Sequence, residues 1–281
     1  MPAATEATFV TAAPSLSAPL ASQQTPRDGV CPAALIEAPS LLAKSRSRIF
    51  NPLFLGYTFL FVLSVYPLLL ARTRRPLARA MQFWAKGVLV LMRWVAGIRT
   101  DIRGRENLPK SGPYILASKH QSEADGIAML ALVGDIAFVA MKEVGKYPLV
   151  GPVLKKLEMV LVDTDGGAKE RTTLAEGGRR AAGDGRAILI YPEGTLMKVG
   201  ERGRYRAGVY HLAADLDIPV IPVATDIGRC WDRRQPMKRA GTGTFAFLPA
   251  IKAGADKRDF MTTLEETIEA ESLRLANEHR A

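Results

Sequence analysis

The sequence predicts an α/β layered domain with a mostly parallel sheet over residues 100–281, preceded by a pair of apolar, membrane-associated helices over residues 44–99. Three observations carry this reading. After Thr100, short β-rich runs alternate with helical stretches, the pattern of a sheet covered by its own crossover helices. Ahead of them stands the longest uncharged apolar run of the chain, residues 49–71. The basic excess of the chain, finally, is confined to the segment that holds this run.

Residues 1–43 are rich in Ala, Ser, Thr and Pro and show no apolar periodicity, so they are expected to be disordered. Their first basic residue is Arg27, too late for the basic start of a secretory signal. The net charge of +10 divides unevenly along the chain. Residues 1–43 hold one Arg against three acids, residues 44–110 hold thirteen Lys and Arg against two acids, and residues 111–281 hold 24 against 23. A nucleic-acid groove would need its basic stripe on the folded domain, so nucleic acid is not expected as a partner.

As a helix, residues 49–71 would be roughly 35 Å long, enough to cross the hydrocarbon core of a bilayer. Lys44, Arg46 and Arg48 precede the run, and Arg72, Arg74, Arg75 and Arg79 follow it. A second apolar helix is expected over residues 77–98, where Phe83, Trp84 and Trp94 mix with Lys86 and Arg93. That mixture suits the headgroup layer. A buried hairpin of a soluble protein is the other reading, and basic flanks on both sides favour the membrane. The same symmetry of charge gives no orientation.

Within residues 100–281, strands are expected at 114–118, 136–140, 159–162, 187–191, 220–224 and 244–248. Helices are expected at 126–133, 168–182 and 209–216, with a final amphipathic helix at 259–277. A chain of 281 residues that is 48% hydrophobic suffices for one large core. Cys31 and Cys230 stand far apart in no CxxC pattern, and there are three histidines, so neither a disulfide scaffold nor a metal site is expected.

In such folds the loops after the strands carry the chemistry. After residues 114–118 comes KHQSEADG, with His120 just past the strand and Asp125 near the start of the next helix. A carboxylate that holds one imidazole nitrogen fixes the tautomer and leaves the other nitrogen to take a proton from a hydroxyl. Ser122 is badly placed to act as a nucleophile beside such a base, so the substrate is expected to bring the hydroxyl. Taken alone, the pair equally forms a structural hydrogen bond or a helix cap. The second loop is YPEGT, with Glu193, Gly194 and Thr195 after residues 187–191; by itself it is an ordinary turn. The third feature is IPVIPVA, residues 218–224, a short apolar strand with Pro219 and Pro222.

In this order and spacing, HQSxxD, then EGT, then VIPVA resemble the glycerolipid acyltransferase family, in particular the bacterial 1-acylglycerol-3-phosphate acyltransferases. The resemblance runs from about Thr100 to Pro249 and includes GRENLPKSGPYILASKHQS and MKEVGKYPLVGPVLKKL. It implies that His120 is the general base, Asp125 its orienter, and Glu193, Gly194 and Thr195 part of the acceptor site. It implies transfer of a fatty acyl chain to the sn-2 hydroxyl of 1-acylglycerol-3-phosphate, giving phosphatidate. The acyl donor would be acyl-CoA or acyl carrier protein, with no further cofactor, no metal and no acyl-enzyme, and backbone donors near the motif would hold the oxyanion. The enzyme would work at the inner membrane facing the cytoplasm, with membrane lipid and a lysophospholipid acceptor as partners.

Two positions depart from the family's usual pattern. Arg usually follows EGT and often follows the strand that ends here in VLVD, both toward the acceptor phosphate; here those positions are Leu196 and Thr164. Lys169, Arg171, Lys198, Arg202, Arg204 and Arg206 lie close by, and Lys198 and Arg206 are the replacements expected to bind substrate. The alternatives are a lyso-ornithine lipid or another lysolipid without a phosphomonoester as acceptor, or a non-catalytic lipid-binding membrane protein. His211 reads as structural and Cys230 as having no role. Trp231, with Arg229, Arg233 and Arg234, reads either as an edge of the donor or headgroup site or as a solvated basic loop.

Overall fold

A computed structural model describes residues 41–163, 167–232 and 236–279; the expectations for residues 1–40, Thr164, Arg233, Arg234 and the Lys169 side chain lie outside them. Helix α1, Leu41–Val65, takes in the basic flank as well as most of the apolar run. It ends just before Pro67, which has no N–H to carry on the helical ladder; the chain continues as a 3-10 turn, Tyr66–Leu70. Helix α2, Arg75–Leu91, opens with Pro76 in its first turn. It closes through a wider turn, Met92–Ala96, onto Gly97 at φ 74°. Phe61 stacks on Trp84 at 6.0 Å between centroids, and the Tyr57 hydroxyl donates to the Trp84 carbonyl at 3.4 Å, which sets α2 along α1.

The domain proper begins earlier than its first expected strand. Strand β1, Ile98–Arg103, starts where the second apolar helix was expected to end. Its sequence, IRTDIR, is mostly polar because it is an edge strand with one partner. There follow β2 (Tyr114–Ser118), α3 (Glu123–Val133), β3 (Ala137–Met141), α4 (Gly151–Lys156), β4 (Val160–Val162), α5 (Gly167–Gly183), β5 (Ala187–Ile190), α6 (Gly208–Leu216), β6 (Val220–Thr225), β7 (Gly241–Phe247) and α7 (Lys257–Glu278). The six-residue α4 is too short to show a helical period, and β7 starts three residues early, in a GTG stretch that reads as a turn.

The sheet runs β1-β7-β6-β2-β5-β3-β4, and every neighbouring pair is parallel except β6 with β7. Strands buried on both faces read as continuous apolar runs, and alternate residues serve alternate layers. Leu116 and Leu189 face a core built with Phe50 of α1, Ala85 and Val88 of α2 and Ala128 of α3. Ile115, Ile188 and Ile190 face the other core, with Leu174 of α5, Leu212 of α6 and Leu264 of α7. Each large apolar side chain so buried contributes about 1.5–3 kcal/mol. The outer side of α1 stays uncovered: Leu55, Phe59 and Leu60 are exposed. Among the described residues, one helical stretch, Leu41–Leu70, is long and apolar enough to cross a membrane.

Candidate active site

The end of β2 delivers His120 to a helix N-terminus. Ser122 caps α3, its hydroxyl accepting from the Ala124 amide at 3.1 Å, and Asp125 completes the box from the first turn. One oxygen of Asp125, Oδ2, collects three contacts: the Gln121 amide at 2.7 Å, the Ser122 amide at 2.8 Å and His120 Nδ1 at 3.1 Å. Helix cap and histidine orienter are therefore one carboxylate. With Nδ1 donating to it, Nε2 is left as the acceptor. The imidazole is partly open to solvent, 22% of its side chain, whereas the Asp125 side chain is fully buried. Tyr191, at the end of β5, stacks on the imidazole at 3.8 Å and 16°, fixing the plane of the ring.

The turn after β5 is pinned beside this loop. Met197 N donates to the His120 carbonyl at 2.7 Å, and Arg206 N to the Pro192 carbonyl at 2.8 Å. Gly194 sits at φ 68°, in the left-handed region, and a Cβ there would lie 2.9 Å from Arg206 Nε. Glu193 is brought to His120, but its carboxylate turns inward. Its Oε1 accepts from the His120 amide at 3.4 Å and lies 3.4 Å from Lys119 Nζ, with both side chains buried. Burial pushes the Glu193 carboxyl up to about 7, against the pull of Lys119 in the other direction. Lys119 in turn reaches the Glu201 carbonyl at 2.8 Å and Glu269 Oε1 at 2.6 Å, and the Tyr205 hydroxyl donates to the same oxygen at 3.0 Å.

The remaining expected residues are spread over several elements. Thr195, Lys198 and Arg206 are exposed on the strap that leaves the Glu193 turn, with Leu196 half-buried among them. Arg206 lies against Gly194, while Lys198 is tied through its backbone, its amide donating to the Glu201 carboxylate at 2.9 Å and its carbonyl accepting from the Glu201 amide at 3.0 Å. Arg171 stands on α5 near His211, whose pKa is lowered first by burial and then by that guanidinium. Trp231 is neither a substrate edge nor part of a solvated loop. It is buried edge-on against Phe50 and Phe54 of α1, both at 5.3 Å, with the Lys238 ammonium over its ring. Cys230 is buried, its thiol pushed up to about 12 by burial. Sequence reasoning missed Lys119, Tyr191, Tyr205 and Glu269; of these, Lys119 alone carries a signal, a lysine closing a buried apolar strand next to the histidine.

Comparison with known proteins places this geometry. The acyltransferase family model matches residues 99–226. A 1-acyl-sn-glycerol-3-phosphate acyltransferase of Pseudomonas aeruginosa is 30% identical over 190 residues, 68% of this chain and 74% of that protein. The chain belongs to the glycerolipid acyltransferase family. A member of the same name from Limnanthes douglasii is 29% identical over 57% of each chain, and the human alpha enzyme is 25% identical over 48% of each. The match thus spans less than two thirds of those two relatives. The crystal structure of the 1-acyl-sn-glycerophosphate acyltransferase PlsC from Thermotoga maritima superposes with a TM-score of 0.67 at 18% identity, covering 83% of this chain and 98% of that one, which shows the shared fold. Within this glycerolipid acyltransferase, the matched span holds His120, Asp125 and Glu193, and it leaves out α1, α2 and α7.

Proposed function

We propose that this chain is a membrane-bound O-acyltransferase that moves a fatty acyl group from acyl-CoA or acyl carrier protein to the sn-2 hydroxyl of 1-acylglycerol-3-phosphate. The supporting observation is the His120–Asp125 contact at 3.1 Å on a partly exposed imidazole. His120 Nε2 takes the proton of the acceptor hydroxyl as its oxygen attacks the thioester carbonyl. The C–S bond then breaks, and the imidazolium returns the proton to the leaving thiolate. Ser122 is not the nucleophile in this reading, because its hydroxyl is buried and engaged as the cap of α3. The Gln121 and Ser122 amides are given to Asp125, so the oxyanion is held by donors other than these two.

The acceptor's phosphate is assigned to the strap beyond Glu193. Arg206, packed on Gly194, lies at the turn where Leu196 offers no charge. The acceptor enters from the bilayer, where the exposed apolar side of α1 sits, and the donor comes from the cytoplasm. The test is an acceptor panel: membranes holding the protein, one acyl-CoA, and lysophosphatidate, lysophosphatidylcholine or lyso-ornithine lipid, with products identified by mass. Phosphatidate as the main product is expected. Transfer to lyso-ornithine lipid with none to lysophosphatidate assigns the other acceptor, and no transfer to any of them ends the enzymatic reading.

A further inference from the structure

The parallel strands place two chemistries at opposite edges of the sheet. His120 and Glu193 follow the C-terminal ends of β2 and β5, whereas Asp135, Glu158 and Asp184 precede β3, β4 and β5. At this second edge a cleft of about 820 Å³ opens between α4 and the chain joining α1 to α2. Five basic residues line it, Arg72, Arg74, Arg75, Lys155 and Lys156, against two acids, Glu158 and Asp184. Both acids are taken by Arg74, at 3.2 and 2.8 Å, and Arg74 also meets Asp135 at 3.3 Å. Lys156 is held by the Ala71 carbonyl. Arg72, Arg75 and Lys155 are left exposed, with no ion pair among the described residues.

The apolar run ends at the same cleft: Leu69 lines it, and Leu70 beside it is 90% exposed. We infer that this cleft docks the anionic headgroup of a membrane phospholipid, its phosphate among Arg72, Arg75 and Lys155 and its acyl chains along Leu69 and Leu70. Guanidinium forks match phosphate oxygens, and basic residues at the end of an apolar helix meet the anionic headgroup layer. The size is that of a small-ligand pocket. Arg74, neutralised by the acids, acts as the cleft's fixed wall. An acidic carrier protein is the poorer fit, because it would dock at the end of the sheet opposite His120, a strand length of roughly 10–17 Å away. The inference rests on α1 being seated in a membrane, and it is independent of which acceptor is acylated.

The test uses the full chain. Flotation with vesicles first establishes that the wild type enters bilayers; native mass spectrometry from detergent then counts retained phosphatidylglycerol against phosphatidylcholine. The variant is Arg72→Gln/Arg75→Gln/Lys155→Gln, three exposed positions, and the control neutralises as many distant charges, Lys110→Gln/Lys252→Gln/Arg258→Gln. A basic residue near an anionic surface is worth about fivefold in affinity. The wild type and the control should therefore retain phosphatidylglycerol at least about fivefold better than phosphatidylcholine, and the cleft variant should not. A cleft variant that keeps the preference overturns the inference. So does displacement of the lipid by an equal concentration of glycerophosphate, which marks a soluble-anion site, or saturable competition by apo acyl carrier protein. A wild type that does not float overturns the membrane reading together with the cleft; one that floats without the preference overturns the cleft alone.

Discussion

The Lys119 ammonium, one residue before His120, lies 2.6 Å from the carboxylate of Glu269, 150 residues later on α7, and both side chains are buried. The C-terminal helix, outside the matched acyltransferase span, is thereby tied to the floor of the candidate site. Removing one member of a buried pair leaves the other charge uncompensated, which costs about 3–5 kcal/mol. Glu193 remains 3.4 Å from the same ammonium, so Glu269→Ala should lose up to that much in urea unfolding, and Glu269→Gln, which keeps an acceptor for Lys119 and Tyr205, should lose less. Unfolding curves for Glu269→Ala that overlay the wild type would show the pair to be inert.

Glu193 gives the site a pH dependence whose sign follows from its burial. Its carboxyl is raised to about 7 in the folded protein from an ordinary value of 4.5. Between those two values the folded state holds a proton that the unfolded state has lost, so stability falls as pH rises through that window. The interval corresponds to about 3 kcal/mol. Glu193→Gln should remove this component, leaving a thermal midpoint that falls less than that of the wild type between pH 5 and pH 7. Parallel melting profiles for the two proteins across that range would contradict the burial account.

Asp125 serves two purposes, and substitutions separate them. His120→Ala should lower turnover by about 10²–10⁴-fold with the fold intact, the range of a general base. Asp125→Asn should lose much of the rate by disturbing the imidazole tautomer. Asp125→Ala should add a stability loss of about 1 kcal/mol, since its half of the α3 capping box goes with it while Ser122 stays. Near-normal turnover by His120→Ala, measured with the same acceptor and donor, would remove the base from the mechanism.

The alternating layers and the His120–Asp125 pair were legible in sequence because each rests on local pattern: apolar runs, turn residues and a short spacing. Tyr191 and Glu269 were not. Tyr191 closes an apolar strand and looks like core, and its partnership with the imidazole is made only by the parallel pairing of β2 with β5. Glu269 sits among Glu265, Glu266 and Glu271, which read together as a solvated face, and only the placement of α7 buries it. Trp231 was misread for the same reason: its partners, Phe50 and Phe54, lie some 180 residues earlier on α1.

Those partners change what truncation should do. Phe50, Ala85, Val88 and Met92 are completely buried in the core that backs the sheet. Deleting residues 44–98 should therefore give aggregated protein rather than a soluble, inactive domain. Phe50→Ala should cost about 3–5 kcal/mol, whereas Leu60→Ala, on the exposed side of α1, should change stability by under about 0.5 kcal/mol. If α1 is seated in the bilayer as proposed, high salt should not extract the full chain from membranes, because screening leaves a hydrophobic hold intact. Recovery of a folded 99–281 fragment by size exclusion and circular dichroism would show the sheet to be self-sufficient.

The proposed acceptor can be tested at Leu196 and Arg206. Leu196 is half-buried after the EGT turn and carries no side-chain donor, while Arg206 packs on Gly194 at the same turn. If Arg206 supplies the missing contact, Arg206→Gln should raise the apparent KM for lysophosphatidate about tenfold or more, with a smaller change in kcat, since the phosphate is bound alike in ground and transition states. Lys198→Gln should do less, because Lys198 is tied to the strap only through its backbone. Leu196→Arg then reports how much recognition is left to gain. With Arg206 already in place, the added guanidinium should improve selectivity for lysophosphatidate by less than the about 1.5–3 kcal/mol of a charged hydrogen bond. A gain of that full size, joined to an unchanged KM in Arg206→Gln, would mean that the crevice is not built for a phosphomonoester, and would move the assignment to a lysolipid without one.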